Sequence, residues 1–515
     1  MPVIHIPPSA AGERLSDVLA RMGHPVSSPC GGRGVCGKCR VTVLNGQFLT
    51  KGGKTMTPDG DGTVLACQAV CPPDGAEVLV RAMDGTGLSL GTSAAAASGK
   101  YGFALDIGTT TIAAVRVSLP DGAVAASASC LNPQQAFGAD VISRIGAASR
   151  GQLADLQACV LDAVRGLLAK LSPDTPGNDQ PPLTVAGNAT MLHLFAGVSP
   201  EGMGHYPFTP AFTDAKVTTG QELGLPVGQV TLLPSVSAFV GGDITAGMHV
   251  CGIGRSASPA LLLDIGTNGE MVLDTGDGDL IGTSTAAGPA LEGANISCGM
   301  GGVAGAVCSV RKDGDDLIFR TIGDAPAQGL CGSGLLDFTA RLLEGGSIDE
   351  TGYLDMDDDE EYRFVNLCGR WETAAGTAEQ ESILPDVRLT QKDIREVQLA
   401  KSAIRAGLEA LLAEAGMTPE SFTASGGTVY LAGGLGYYMD PRSAVTIGML
   451  PDCFPARLVP AGNTALKGAV AALCDPAALD HMTALSKGCR IIDLEKSEVF
   501  NDGFIEYMMF PEMED

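Results

Sequence analysis

The chain has 515 residues, which indicates several domains, and 45% of them are hydrophobic, so large cores can form. The formal net charge of −26 argues against binding to nucleic acid or to an anionic membrane surface. No apolar run approaches the length of a membrane span, and we expect no signal peptide. The 15 cysteines are an odd number and many stand singly in apolar segments, which is typical of a reduced, cytoplasmic protein.

Three cysteines crowd the Gly-rich segment CGGRGVCGKC at residues 30–39. Cys30, Cys36 and Cys39 have the spacing C-x5-C-x2-C, and Cys67 follows after 27 residues. Three close thiolates and one distant thiolate are the ligand pattern of a 2Fe–2S cluster. The glycines allow the positive φ angles and close backbone approach that a loop around a cluster needs. The four cysteines are therefore the predicted cluster ligands.

The segments around these cysteines predict a small α+β domain over residues 1–83. VIHI, CRVTVLNG and AEVLVRAM have the pattern of strands, and ERLSDVLARMG has that of a helix. The arrangement resembles the ferredoxin (β-grasp) fold. A zinc site is the alternative, but zinc sites usually pair two C-x2-C knuckles, whereas Cys67 stands alone. Cys71, close after Cys67, is interpreted as a buried structural thiol.

Residues 84–100, DGTGLSLGTSAAAASGK, have the composition of a flexible linker. A new pattern begins at residue 101 with YGFALDIGTTTIAAVRV and returns 158 residues later as ALLLDIGTNGEMVL. Two copies of D-I-G-T at strand–turn–strand junctions indicate an internal duplication. Gly lets the turn approach a phosphate, N–H and Thr hydroxyl groups donate to it, and the carboxylate holds Mg²⁺. The repeat predicts a phosphate clamp built from two hairpins.

A third motif, VYLAGGLGYYMDP, places Gly433 and Gly434 after a strand, where backbone can lie against an adenosine. The preceding segment predicts a helix that Thr390 caps and Gly416 ends, with an apolar stripe that includes Ile394 and Val397.

The order of two phosphate loops and one adenosine loop resembles that of actin, sugar kinases and heat-shock chaperones. The chain resembles most closely the reductive activators of corrinoid enzymes, over nearly its whole length. The blocks that carry this resemblance are NPQQAFGADVISRI, VAGNATMLHLFAGV, GPALEGANISCGM, CGSGLLD and TQKDIREVQLAKSAI. Larger members insert an extra domain after the linker, whereas here the linker is expected to lead directly into YGFALDIGTTT.

The resemblance implies a multidomain protein in which the ferredoxin-like domain precedes a duplicated α/β, ribonuclease-H-like ATPase. The expected boundaries are residues 101–248 for the first ATPase lobe, 249–475 for the second lobe with the adenosine segment, and 476–515 for a C-terminal extension that packs on the ATPase. The implied activity is reduction of a corrinoid protein of a methyltransferase system from Co(II) to Co(I), coupled to ATP hydrolysis. The implied cofactors are the 2Fe–2S cluster, ATP and Mg²⁺, with an upstream low-potential electron donor. A homodimer is expected by analogy.

The resemblance also implies a role for each motif residue. Asp106 and Asp264 are the expected organisers of Mg²⁺ and water. Glu270 or Asp243 is expected to position the attacking water, although Asp243 is equally suited to cap a helix. The predicted phosphate contacts are Gly108, Thr109, Thr110, Gly266, Thr267, Asn268 and Gly269. The predicted adenosine contacts are Gly433, Gly434, Gln398 and Lys401.

Other residues have both functional and structural interpretations. Ser297, in the Gly-rich segment 286–305, is a candidate corrinoid contact, and a structural loop behind the nucleotide cleft is the alternative. Cys331 can suggest a second iron–sulfur site, but a lone cysteine before a helix is more often a packing residue. His193 is interpreted as a core residue.

Two other functions remain open from the sequence. The chain can activate another low-potential enzyme of the dehydratase type, or it can be a redox-sensing, nucleotide-binding regulator. A plain sugar kinase is disfavoured because it needs no cluster.

Overall fold

The computed structural model describes residues 3–22, 26, 39–50, 52–58, 62–80, 100–172, 180–314, 316–354, 364–373, 376–377, 382–435 and 439–512. Cys30, Cys36 and nearly all of the predicted linker lie outside these residues. The described residues form four β-sheets. None of the helices in these ranges is both long enough and apolar enough to cross a membrane.

In the described part of the N-terminal domain, one α-helix packs on a four-stranded sheet. The side chains of β1 alternate between exposed and buried, as the sequence pattern predicts. The helix buries Leu15, Val18 and Leu19 together with Phe48 and Val78 in one core. The strand order is β1-β4-β2-β3. The elements are β1 (Val3–Ile6), α1 (Leu15–Arg21), β2 (Arg40–Asn45), β3 (Thr63–Leu65) and β4 (Ala76–Leu79).

The first ATPase-type lobe has a six-stranded sheet of order β7-β6-β5-β8-β10-β9. Three antiparallel strands, β5 to β7, are extended by parallel pairing of β5 with β8 and of β8 with β10. The elements are β5 (Tyr101–Ile107), β6 (Thr111–Ser118), β7 (Val124–Leu131), α2 (Val141–Ala147), α3 (Leu153–Leu171), β8 (Leu183–Gly187), α4 (Ala189–Ala196), β9 (Lys216–Thr219), α5 (Gly220–Leu223), β10 (Gln229–Leu232) and α6 (Gly242–Val250).

The second lobe follows in chain order. Its elements are β11 (Ala260–Ile265), β12 (Gly269–Asp274), β13 (Leu280–Thr285), β14 (Ala306–Asp313), β15 (Asp316–Thr321), β16 (Gly329–Leu330), α7 (Gly332–Glu344), β17 (Phe364–Thr373), β18 (Gly376–Thr377), β19 (Ser382–Thr390), α8 (Gln391–Glu414), α9 (Pro419–Ala424), β20 (Thr428–Ala432), α10 (Pro441–Thr446), β21 (Leu458–Gly462), α11 (Thr464–Cys474), α12 (Pro476–Gly488), β22 (Cys489–Ile491) and α13 (Glu498–Glu506).

The main sheet of the second lobe repeats the plan of the first. Strands β11, β12 and β13 are antiparallel, and β20 and β21 extend the sheet by parallel pairing beyond β11. The duplication predicted from the two D-I-G-T motifs is confirmed at the level of topology. A further sheet built from β14 to β19 is inserted between β13 and α8.

Helix α8 forms as the sequence predicts. Thr390 and Asp393 make a capping box at its start, and Gly416 has a φ of 66° just beyond its end. Ile394 and Val397 are fully buried in the core of the second lobe. The apolar stripe thus fixes the helix against the sheet.

Three elements of the C-terminal part of the chain pack against earlier elements. Helix α13 packs on α8, as expected for the C-terminal extension, and β22 adds a parallel strand beside β13. Helix α11 packs on α6, β5 and β8, which belong to the first lobe, although the predicted boundaries group it with the second. Packing of α11 therefore joins the second half of the chain to β5, the strand that leads into the first predicted phosphate hairpin.

Candidate iron–sulfur and nucleotide sites

Cys39 and Cys67 lie at the same end of one strand pair. Arg40 of β2 pairs with Leu65 of β3, and the next residue, Ala66, donates its N–H to the Cys39 carbonyl at 2.8 Å. Both thiols are buried in the core of the N-terminal domain. Antiparallel pairing therefore brings together two predicted ligands that are distant in sequence.

Cys39 and Cys67, the two predicted ligands that the structure describes, fit one side of a 2Fe–2S cluster. The side-chain amide of Gln68 donates to Cys67 Sγ at 3.5 Å, the type of contact that tunes the potential of a cluster. Cys71 is buried, as predicted, and its N–H donates to the carbonyl of Glu13 at 2.8 Å. The role of the four cysteines as ligands stays a prediction, because two of them lie outside the described residues.

The first phosphate hairpin joins β5 to β6, and its backbone is held from behind. Three consecutive carbonyls accept side-chain hydrogen bonds from the block NPQQAFGADVISRI. Asn132 donates to Gly108 O at 2.8 Å, Arg144 to Thr109 O at 2.6 Å, and Gln135 to Thr110 O at 3.1 Å. A Cβ atom at position 108 would lie 2.8 Å from Thr111 O, so this turn requires glycine.

Arg144 is a buried cation with no carboxylate within ion-pairing distance among the described residues. It also donates to Gly138 O and Met191 Sδ. Burial lowers its pKa to about 10, partly offset by Asp140 and Glu292. A cation placed behind a phosphate loop makes the loop attractive to an anion.

The second hairpin joins β11 to β12 and closes with a hydrogen bond from Gly266 N to Asn268 O at 2.9 Å. Asp264 stands opposite Glu270 in the strand register, and Ala432 of β20 stands on its other side. Gly433 follows with a φ of 81°, and a Cβ atom there would lie 2.5 Å from Asp264 Oδ1. The predicted adenosine turn is therefore adjacent to the predicted metal-binding carboxylate.

Four predicted carboxylates converge between the lobes. Burial is the main reason that the pKa of Asp106 is raised to about 6, that of Asp264 to about 7 and that of Asp243 to about 8. The charge of Asp106 further raises the pKa values of Asp264 and Asp243. The charges of Asp243 and Asp264 add to the large upward pKa shift of Glu270. The carboxylates are thus close enough to repel one another across the duplication.

This donor set supplies the one or two carboxylates through which Mg²⁺ is usually bound, whereas the described residues contain no group of three or more acidic, Cys or His side chains placed to hold a metal ion. Carboxylate oxygens are the ligands that Mg²⁺ prefers, and a divalent cation would neutralise buried like charges that are otherwise costly. Asp106 and Asp264, one from each hairpin, are the residues that would hold it.

Asp243 is not a helix cap. The N-cap of α6 is Gly241, and Asp243 is the second residue of the helix, where its Oδ1 accepts from the N–H of Ile244 at 2.9 Å. A Cβ at Gly241 would lie 2.7 Å from Asp243 Oδ1 and 2.5 Å from the Cα of Asn188, whose amide donates to Thr109 Oγ1 at 3.0 Å. The fold therefore places Asp243 beside the first hairpin.

Several residues of this site were not predicted. Asn132, Gln135, Arg144 and Asn188 belong to blocks that carry the family resemblance, and their polar side chains in apolar surroundings were the available signal. Glu292 lies in another such block and contacts both hairpins through Thr110 and Thr267.

Gln398 and Lys401 contact residues 507–510, which we call the C-terminal segment. Gln398 donates to Met508 O at 2.7 Å. Lys401 Nζ donates to Tyr507 O at 2.5 Å and Met509 O at 2.6 Å, and lies over the ring of Phe510. Their predicted adenosine contacts stay a prediction, and these hydrogen bonds show a structural role that the sequence did not indicate.

Ser297 is bound to the start of α8. Its N–H and hydroxyl donate to Asp393 Oδ1 at 2.8 and 3.1 Å. This contact agrees with the structural interpretation of the loop, and the corrinoid contact stays a prediction.

Two residues have the structural roles expected of them. His193 is buried, with Nδ1 2.7 Å from Ala189 O, and its Nε2 accepts from the N–H of Ala211 at 3.1 Å. Cys331 is buried before α7, and its thiol donates to Val307 O at 3.3 Å.

Fold and site together define a protein that joins an iron–sulfur ferredoxin-type domain to a two-lobed domain of the actin and sugar-kinase superfamily. Family models match the chain in succession: the 2Fe-2S iron-sulfur cluster binding domain at residues 6–72, the RACo middle region at 101–256, and the C-terminal domain of RACo, the ASKHA domain, at 258–515.

Individual relatives agree. The corrinoid activation enzyme RamQ of Eubacterium limosum is 33% identical over 427 residues, which cover 80% of this chain and 70% of that protein. A Co(II) methylated amine-specific corrinoid protein reductase of Methanosarcina barkeri is 26% identical over 67% of this chain and 65% of its own length. A solved reductive activator for a corrinoid, iron-sulfur protein matches with a TM-score of 0.70 and 27% identity, over 98% of this chain and 96% of that one. The chain belongs to the family of reductive activators of corrinoid enzymes.

Proposed function

We propose that this protein is an ATP-hydrolysing iron–sulfur reductase that returns the cobalt of a corrinoid protein from Co(II) to Co(I) in a methyltransferase system. One observation carries the proposal: a single chain combines two buried cysteines at adjacent ends of β2 and β3 with two predicted phosphate hairpins whose carboxylates lie close to one another. The names of its relatives, a corrinoid activation enzyme, a corrinoid protein reductase and a reductive activator, support a corrinoid protein as the partner.

The redox energetics explain why both parts are needed. Plant-type clusters have potentials near −400 mV, and the Co(II)/Co(I) couple is expected to be lower. A gap of ~100 mV for one electron costs about 2.3 kcal/mol, so the transfer would be unfavourable by about fifty-fold. Hydrolysis of ATP to ADP and phosphate offsets this cost if it is coupled to a change in the complex.

Each part of the nucleotide site has a role in this proposal. Asp106 and Asp264 would hold Mg²⁺, and the N–H and hydroxyl groups of the two hairpins would bind the phosphates. Glu270 or Asp243 positions the attacking water. When bound at the cysteines, the 2Fe–2S cluster supplies one electron at a time, which an upstream low-potential donor replaces. We expect the active form to be a homodimer.

An anaerobic optical assay tests the proposal. The reconstituted, reduced protein is mixed with a Co(II) corrinoid protein, and the Co(I) absorbance is followed with ATP, with ADP and without nucleotide. We expect most of the cobalt to become Co(I) with ATP, and only about a tenth of it without ATP when the two proteins are mixed one to one. The Cys67→Ala variant is the control for electrons that bypass the cluster.

Two outcomes would contradict the proposal. Equal Co(I) yields with and without ATP would remove the coupling. The partner would instead be a dehydratase if no corrinoid protein yields Co(I) and a dehydratase is reduced in an ATP-dependent way.

A further inference from the structure

The phosphate clamp contains a carboxylate of the chain itself. Glu292 is the last residue of the 3₁₀ turn Pro289–Glu292. Its Oε2 accepts from the Thr110 hydroxyl at 2.6 Å and from the Thr267 hydroxyl at 2.9 Å, and its Oε1 accepts from the Thr267 N–H at 2.9 Å. Thr110 and Thr267 belong to different lobes, so one carboxylate bridges both hairpins.

These donors are the groups predicted to bind nucleotide phosphate. Glu292 also adds to the raised pKa of Asp264 after burial and Asp106, and it offsets the lowered pKa of Arg144. A Cβ atom on Gly266 would lie 3.0 Å from Glu292 Oε1, so the carboxylate lies directly against the turn. Its negative charge therefore lies within the site, where the charge of a phosphate is expected.

We propose that Glu292 is a latch residue that holds the two hairpins together without nucleotide and is displaced by the terminal phosphate of ATP. The inference rests on the proposed binding of ATP. A hydroxyl proton has one strong acceptor at a time, and a carboxylate and a phosphate repel each other at such distances. ATP must therefore take these donors from Glu292 in order to engage both hairpins.

Release of Glu292 would change contacts at the start of α8. Five residues further along, the N–H and hydroxyl of Ser297 donate to Asp393 Oδ1, and Asp393 forms the capping box of α8 with Thr390. The same helix holds the C-terminal segment through Lys401. Displacement of Glu292 thus acts on a short, tethered segment rather than on a free loop, and it transmits the state of the nucleotide site to the start of α8.

Glu292→Gln tests the latch, because the amide keeps the size of the side chain but removes its charge and one acceptor oxygen. Binding of ADP and of AMPPNP is measured by calorimetry on the full chain. We expect at least a ~5-fold gain in affinity for AMPPNP, the lower end of typical coupling between sites, and a smaller gain for ADP. Glu396→Gln is the matched control, because Glu396 accepts from Asn295, which lies close to Glu292 in sequence, but Glu396 itself is outside the clamp. The affinity of this variant for AMPPNP should equal that of the wild type.

Hydrogen exchange tests the contact without nucleotide. In Glu292→Ala, the amide of Thr267 should exchange at least ~10-fold faster than in the wild type, because that N–H loses its acceptor. Unchanged exchange at Thr267, or AMPPNP affinity that is unchanged or weaker in Glu292→Gln, would overturn the latch. A fall in kcat for ATP hydrolysis with unchanged AMPPNP affinity would also overturn it, because this result assigns Glu292 to the reacting water.

Failure of the proposed function would look different. In that case the wild type itself would bind neither nucleotide by calorimetry, whereas failure of the latch alone leaves nucleotide binding to the wild type intact.

Discussion

The side-chain amide of Asn463 donates a hydrogen bond to Asp106 Oδ2 at 2.9 Å. The side-chain oxygen of Asn463 accepts from the N–H of Leu466 at 2.7 Å and thereby caps α11. One residue thus starts a helix and orients the carboxylate at the end of β5. This hydrogen bond lowers the pKa of Asp106 against the stronger upward effect of burial.

Asn463→Ser separates these two roles. Serine is a good N-cap, but its side chain is too short to replace the amide at Asp106, so we expect stability to change by less than ~1 kcal/mol. The affinity for Mg-nucleotide should fall several-fold, because Asp106 becomes easier to protonate and loses its orientation. Calorimetry and thermal denaturation measure the two effects. An Asn463→Ser variant with wild-type affinity would show that the contact does not matter for binding.

The clustered carboxylates predict an unusual pH dependence. Asp106, Asp264 and Asp243 have folded-state pKa values of about 6, 7 and 8, all above the unfolded value of 3.8. Between about pH 4 and 8 the folded state therefore binds more protons than the unfolded state, and these groups make the nucleotide-free protein less stable as pH rises. Mg²⁺ binds the deprotonated carboxylates, so its affinity should increase between pH 6 and 8 with release of protons.

Thermal denaturation and calorimetry in two buffers of different ionisation enthalpy measure this dependence. Asp243→Asn is the control, because it removes the group with the pKa of about 8 and should flatten the profile above pH 7. Identical pH profiles for the wild type and this variant would contradict the assignment.

Asp243→Asn and Glu270→Gln identify the residue that positions water. Loss of a general base typically costs ~10²- to 10⁴-fold in rate, so one variant should lose that much in single-turnover ATP hydrolysis and the other should retain most of its rate. Both variants should be more stable than the wild type without nucleotide at neutral pH, since burial and the neighbouring carboxylates make each carboxyl group costly to ionise in the folded state. Wild-type rates in both would exclude both residues.

Cys67→Ala and Cys71→Ala test the choice of cluster ligands. After anaerobic reconstitution, Cys67→Ala should lose the visible absorbance of the cluster, whereas Cys71→Ala should retain it and lose stability by ~1–3 kcal/mol, because it leaves a small cavity in the core. Elemental analysis should give two iron atoms per wild-type chain. Zinc in place of iron, or loss of the cluster in Cys71→Ala, would contradict the assignment.

Lys401→Met tests whether Lys401 anchors the C-terminal segment or contacts adenosine. Burial lowers the pKa of Lys401 to about 7, and its Nζ donates to the carbonyls of Tyr507 and Met509. We expect faster proteolysis near residues 507–512 and a nucleotide affinity within about twofold of the wild type. Lys392→Met, an exposed change on the same helix, should leave both the rate of proteolysis and the nucleotide affinity as in the wild type. A tenfold loss of affinity in Lys401→Met alone would support the adenosine contact instead.

Local patterns were enough to predict much of the fold. The limits of α8 follow from Thr390, from an apolar stripe and from Gly416, because capping and periodicity act within a few residues. The two D-I-G-T hairpins and their duplication were predicted for the same reason, since each turn is specified by its own glycine and its flanking strands. Cys39 and Cys67 were predicted as partners from their spacing, and the pairing of β2 with β3 explains how they come together.

The contacts that assemble the nucleotide site had no such local signal. Glu292 reaches Thr110 across 182 positions, and Asn463 reaches Asp106 across 357. Such hydrogen bonds depend on how the two lobes and α11 pack. The local sequence around a single glutamate in a Gly-rich segment, or around a capping asparagine, does not indicate which distant residue it contacts. Local sequence therefore specifies the turns, the helix limits and the residue types at the site. Long-range packing determines that one carboxylate joins both hairpins, because burial requires polar groups that end up next to one another to form hydrogen bonds.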